Sequence, residues 1–186
     1  MREQHKYKGP GIRGPVSKTP AVVWKEVSGK KITSPGGLSV FSVILVLGET
    51  TNSNQPIFCL TLKEKQPKAK WYSHSITLNK AECEWLISNV EQLTSGQHLK
   101  HSTENHKGET VRTLSAILRK GKGVPTISFK QVKNGKVDKL VFPRAKVDTL
   151  IRYFTEAIDD YNGYTDDTDD AEPEDEEVST DDDSSS

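Results

Sequence analysis

The chain has 186 residues, 26 basic and 26 acidic side chains, and two cysteines. That length allows one or two small domains. Two cysteines exclude a disulfide framework, and the absence of a long uncharged apolar run argues against a membrane-spanning helix. The zero net charge hides a split: from Asp159 onward there are fourteen Asp and Glu and no Lys or Arg. Taking those fourteen from the total leaves 12 acids against 26 bases in residues 1–158. A basic body with an acidic tail speaks about partners: the body attracts a polyanion, and the tail competes for the same surface.

Residues 1–20 are basic, rich in Gly and Pro and almost free of large aliphatics, so a disordered arm able to add phosphate contacts is expected there. A first strand–helix repeat is expected over 21–93. "AVVWKEV" reads as its first strand. "LSVFSVILVLG" is rich in Val, Ile and Leu and about half as long as a membrane span, so it reads as a buried strand. "PIFCLTLK" alternates, with Ile57, Cys59 and Thr61 on one face and Phe58, Leu60 and Leu62 on the other. "KWYSHSITL" makes a fourth strand. "NKAECEWLISNVEQL" then changes period: Asn79 can cap a helix whose apolar stripe is Cys83, Leu86, Ile87, Val90 and Leu93. Glu82 and Glu84 are expected on its exterior. Trp85 lies off the stripe, as a partly covered surface residue or an interface between units. Cys59 and Cys83 sit in apolar patterns and read as small core residues of a reducing compartment.

Residues 94–109 read as a linker or as the first strand of the next repeat. They carry His98, His101 and His106, which lack the paired spacing of a zinc site and read as a solvated loop. The second repeat is expected over 110–158. "TVRTLSAILRKG" aligns with "LSVFSVILVLG" when Gly121 is placed on Gly48, and "PTISFKQV" follows with Lys130 opposite Lys63. Asn134-Gly135 signals a tight hairpin, because both central positions of that turn favour positive φ. "KVDKLVF" returns, and Pro143 opens a helix with the stripe Val147, Leu150, Ile151, Phe154 and Ile158. Residues 159–186 are expected to form a disordered acidic tail.

The repeat shows in the sequence itself. "LVFPRAKVDTLIRYF" restates "ITLNKAECEWLISNV" 64 residues later, apolar on apolar, base on base and acid on acid. The expected fold class is therefore α+β: two ββββα repeats, each a curved antiparallel sheet backed by a C-terminal helix. One such unit is too small for a good core, so the two pack together or pair with a second chain as a homodimer. The helices determine which sheet face is dry and leave the other free to bind.

The motif "ITLNKAECEWL", with the basic, aromatic strand before it, resembles the positive-cofactor-four family of transcriptional coactivators and the related PUR repeat proteins. The resemblance covers about 21–158. It departs in the second unit, where "LVFPRAKVDTL" lacks the Asn, and in the first unit's long "GETTNSNQPIF" loop. The resemblance implies single-stranded DNA bound on a sheet face shared by two units, both from one chain as in PUR proteins. A viral single-stranded DNA-binding protein fits the same pattern.

The residues support such a surface independently. Unpaired bases stack on rings while lysines and arginines hold the backbone. "KAKWYSH" supplies Lys68, Lys70, Trp71 and Tyr72, and the preceding strand ends in Lys63. "SFKQVKNGKVDK" supplies Phe129, Lys130, Lys133, Lys136 and Lys139. "LRKGKG" supplies Arg119, Lys120 and Lys122, and "VWKEVSGKK" adds Trp24, Lys25, Lys30 and Lys31. Phe129 and one of Trp71 or Tyr72 have a core reading as well. "GKGVPT" lacks phosphate-loop spacing, and no nucleophile–base pair, metal set or cofactor motif stands out.

The expected function is a non-enzymatic single-stranded DNA-binding protein with little sequence preference, serving replication, repair or transcription. RNA is an alternative ligand. Replication or transcription proteins would dock on the tail. The expected setting is intracellular and away from membranes: nuclear if the protein is eukaryotic or acts in a nuclear viral setting, cytoplasmic otherwise. Two other readings stand beside it: a coactivator that bridges DNA and polymerase, and an acidic-tailed interaction or chaperone module that binds no DNA.

Overall fold

A computed structural model describes residues 22–50, 53–121 and 123–169. The expected arm at 1–20 and the tail beyond residue 169 lie outside the described residues. Strands β1 (Val22–Thr33), β2 (Val40–Thr50), β3 (Ser53–Lys65) and β4 (His74–Leu78) are followed by helices α1 (Lys80–Ser88) and α2 (Val90–Ser95). Strands β5 (Leu99–Glu104), β6 (Thr110–Arg119), β7 (Thr126–Lys133) and β8 (Lys136–Pro143) then lead into helix α3 (Val147–Asp169). The strands form two four-stranded antiparallel sheets, each in sequence order. This is the expected α+β class with a helix after each sheet.

Local chemistry explains the punctuation. Asn134 and Gly135 both have positive φ, 49° and 76°, the backbone that a two-residue hairpin between right-twisted strands requires. Asn79 caps α1: the Glu82 N–H donates to Asn79 Oδ1 at 2.8 Å, and the Asn79 N–H donates to Glu82 Oε2 at 3.0 Å. The expected single helix breaks at Asn89, whose side-chain amide donates to the Trp85 carbonyl at 2.8 Å. "GETTNSNQPIF" is not a long loop, because β2 and β3 continue through it to Thr50 and from Ser53.

Alternation along the strands builds one shared core. Phe41, Val43, Leu45 and Leu47 of β2 and Phe58, Leu60 and Leu62 of β3 point inward from sheet 1. Leu114, Ala116, Ile127, Phe129, Leu140 and Phe142 do so from sheet 2. Phe41 and Phe142 meet edge to face at 4.7 Å and join the two halves. From the helices come Cys83, Leu86, Leu93, Val147, Leu150 and Phe154, all buried. At about 2 kcal/mol for each large side chain, this burial determines which face of each sheet is dry. Burial, with Glu82 and Glu84 nearby, pushes the Cys83 thiol far up, which leaves it protonated and inert.

Two features depart from the sequence expectation. Glu82 is not an exterior solubility residue: its side chain is fully buried, and Arg112 of the second repeat grips it with Nε on Oε1 and Nη2 on Oε2, both at 2.6 Å. The same Nη2 also donates to the Thr77 carbonyl, which the Gln131 amide reaches at 2.6 Å. Helix α3, expected to yield to a tail after Ile158, runs on to Asp169 and returns to sheet 1. There the Tyr161 hydroxyl donates to the Pro56 carbonyl at 3.0 Å, and that of Tyr164 to Glu49 Oε1 at 2.7 Å. The Glu49 carboxylate that accepts this bond raises the Tyr164 pKa. Trp85 packs between the repeats, its ring 5.2 Å from that of His101 on β5.

Replacing Arg112 by Ala should strand a buried carboxylate and cost about 3–5 kcal/mol. Replacing Arg112 and Glu82 together by Met and Leu should cost clearly less. Urea unfolding of both variants checks the difference. Equal losses would mean that the stranded carboxylate is not what makes the single variant costly.

Candidate nucleic-acid interface

The sheet faces that turn away from the helices hold the candidate site. On sheet 1 the strand register sets Lys31, Ser42, Lys63 and Ser75 side by side, one from each of β1 to β4. On sheet 2 it sets Lys100, Ser115, Lys130 and Lys139 side by side across β5 to β8. Each row crosses its strands at right angles. The rows meet where β4 approaches β8: Ser75 and Lys139, the facing ends, line one cleft of about 490 Å³ together with Tyr72 and His74. The result is one lane of five lysines and three serines; the acid at its junction cleft, Asp138, pairs with Lys136 at 3.2 Å. Its six interstrand steps of about 4.8 Å span roughly 29 Å before the junction is added.

Aromatic rings stand over the sheet 1 half. Tyr72, on the loop between β3 and β4, is 46% exposed and places its hydroxyl 3.4 Å from Ser42 Oγ. Lys63 Nζ lies 5.4 Å from the Tyr72 ring centre. Lys31, Lys65, Lys68 and Tyr72 line a second cleft of about 340 Å³ beside the row. Lys68 is held there by a left-handed turn with φ 64°. Trp71 is 75% exposed, with Lys70 Nζ 5.7 Å from its ring centre. Trp24 is half exposed and lies against Gly48 of β2; a Cβ at Gly48 would come within 2.8 Å of its ring. Absence of a side chain at residue 48 is what admits the ring to the strand surface. Gly48 is six residues along β2 from Ser42, so Trp24 stands about 20 Å from the lane. A stretched strand with its bases splayed can use such rings and cations together, the rings for bases and the ammonium groups for phosphates.

The sequence candidates divide. Lys63, Lys130 and Lys139 lie in the lane, and Lys68, Lys70, Trp71, Tyr72 and Trp24 are exposed around its sheet 1 half. Phe129 does not belong to the surface: it is 2% exposed, paired between Ala116 and Leu140 in the core. Lys133 and Lys136 pair at the hairpin tip opposite Arg112, on the side away from the lane, and Lys136 binds Asp138 at 3.2 Å. Arg119 shares the lane's face, four residues along β6 from Ser115, and Lys120 follows it, exposed just past the end of the strand. Lys122 lies outside the described residues. Lys30 points to the helix side and pairs with Glu156 of α3 at 3.7 Å. Lys65 and Lys100 were not expected in the site. The period-two pattern of β3 and the pairing of β5 with β6 are the signals that place them.

No family model matches this chain, and no curated protein matches it. A solved structure described as the plant transcriptional regulator PBF-2 is similar to it over 81% of this chain and 90% of that one, at 13% identity and a TM-score of 0.45. A likeness at this level transfers no property to the chain.

Burial separates the rings experimentally. Tyr72→Ala should change stability by less than about 0.5 kcal/mol, since it removes an exposed side chain. Phe129→Ala should cost about 3–5 kcal/mol. Thermal melts of the two variants check the assignment. Gly48→Ala should displace Trp24 and shift its fluorescence emission without unfolding the sheet.

Proposed function

We propose that the protein is a non-enzymatic single-stranded DNA-binding protein with little sequence preference, serving replication, repair or transcription inside the cell. The observation that carries this reading is the lysine–serine lane across both sheets, with the Tyr72 ring over its sheet 1 half. Lysine holds phosphate as a point charge, and serine contacts any base. The lane has no Arg, Asn or Gln, the side chains that read particular base edges in a fork. Exposed rings favour unpaired bases, because a paired base in a duplex has its faces already stacked.

The acidic tail fits the same reading. Nine acids fall in 170–186. They compete with nucleic acid for the lane at low salt and serve as a docking segment for basic surfaces of partner proteins once DNA displaces them. RNA shares the phosphate and base chemistry and is the natural competitor ligand.

Titration with matched labelled oligonucleotides tests the proposal. Unpaired DNA should bind more tightly than duplex. Five lane lysines at roughly −0.7 per phosphate give an expected slope of log affinity on log salt near −3.5. Equal or tighter duplex binding would end the single-strand reading. Deleting residues 170–186 should tighten binding at low salt and have little effect at high salt; unchanged affinity would refute tail competition. The cut belongs after Asp169, because removing 159–169 also removes Tyr161 and Tyr164 from sheet 1.

A further inference from the structure

The two halves of the lane are not chemically equal. Among the described residues the three exposed Trp and Tyr rings, Trp24, Trp71 and Tyr72, belong to sheet 1 or its last loop. The lane face of sheet 2 carries Ile117, Ser128, Val132 and Val141 beside its row, and no ring among the described residues. Its two phenylalanines, Phe129 and Phe142, are 2% and 0% exposed in the core. Charge is present on both halves. Sheet 2 has three lysines in its row; sheet 1 has two, one of them, Lys63, beside the Tyr72 ring, with Lys65, Lys68 and Lys70 around them.

We infer that the protein divides its ligand: sheet 1 takes unpaired bases, and sheet 2 takes the sugar–phosphate backbone without using the bases. This rests on the single-strand reading and deepens it. Stacking needs a ring face, and a β-branched aliphatic gives a base only an apolar edge. Phosphate needs a cation and a donor, which Lys100, Ser115, Lys130 and Lys139 offer in one line. The ligand class is thus a strand whose bases must be present and unpaired along one half only. Along the other half, a strand stripped of its bases serves equally well.

The test uses the full chain and three oligothymidines of about ten nucleotides, enough to cross the lane even at the duplex rise of roughly 3.4 Å per nucleotide. One is intact, one lacks the bases of one half, and one lacks all its bases. Removing the bases of one half should weaken binding by less than about twofold, whichever end is stripped, because the strand settles with its remaining bases on sheet 1; removing them all should weaken it about tenfold or more. Tyr72→Ala should weaken the intact and half-abasic strands and leave the affinity of the fully abasic strand unchanged, while Tyr72→Phe, which keeps the ring, should bind the intact strand like the native protein. Lys130→Ala with Lys139→Ala should weaken all three strands by a similar factor. If the intact strand binds and stripping one half already weakens it about tenfold, the division of labour is overturned and the single-strand reading survives. If the intact strand does not bind, both are overturned.

Discussion

The fold turns on a buried charge pair. Arg112 comes from the second repeat and Glu82 from the first, and neither can be left alone in an apolar interior without a large desolvation cost. Glu82 also closes the capping box of α1, so one carboxylate fixes where the helix begins and where the second sheet stands. Arg112 and Gln131 together saturate the Thr77 carbonyl at the end of β4, the strand nearest the second sheet. Apolar contacts such as Phe41 on Phe142 supply cohesion, but they tolerate sliding. A bidentate pair with a third acceptor does not, and it holds the lane's two rows end to end.

That pair was invisible in the sequence. Glu82 and Glu84 look alike along the chain, and a period argument places both outside the apolar stripe. Only the approach of a second repeat distinguishes them. What local physics governs was legible: the Asn134-Gly135 hairpin, the Asn79 cap, the two faces of β3 and the change to helical period after Leu78. The repeat alignment also placed Lys130 opposite Lys63, and register makes both of them the third-strand members of their rows. Phe129 was ambiguous because a lone ring beside lysines fits a core strand and a binding strand equally well. Its position on the inward parity of β7 decides the matter. The end of α3 is not legible in the sequence, because acidic composition masks Tyr161 and Tyr164, whose contacts reach back to β2 and β3.

Duplication and divergence are both written in the lane. Ser42 and Ser115, Lys63 and Lys130, and Ser75 and Lys139 hold equivalent places in their sheets. The common pattern sets cations at one level across every strand, which suits a charged polymer that crosses the sheet. The differences set the rings on one sheet and the additional lysine on the other. The lysine lane and the core are thus coupled through parity alone: a one-residue slip in β3, β7 or β8 would bury a lane lysine and expose a core phenylalanine.

The return of α3 to sheet 1 bears on how the chain is made. Tyr161 and Pro56 are 105 residues apart, and Tyr164 and Glu49 are 115 apart. The Tyr161 ring also meets that of Phe58 edge to face at 5.5 Å, and a ribosome adding about 5–20 residues per second leaves Phe58 uncovered for roughly 5–20 seconds before Tyr161 emerges. The amino-terminal sheet therefore waits half-finished for the carboxy-terminal helix. Nascent chains in that interval are the species that chaperones would encounter.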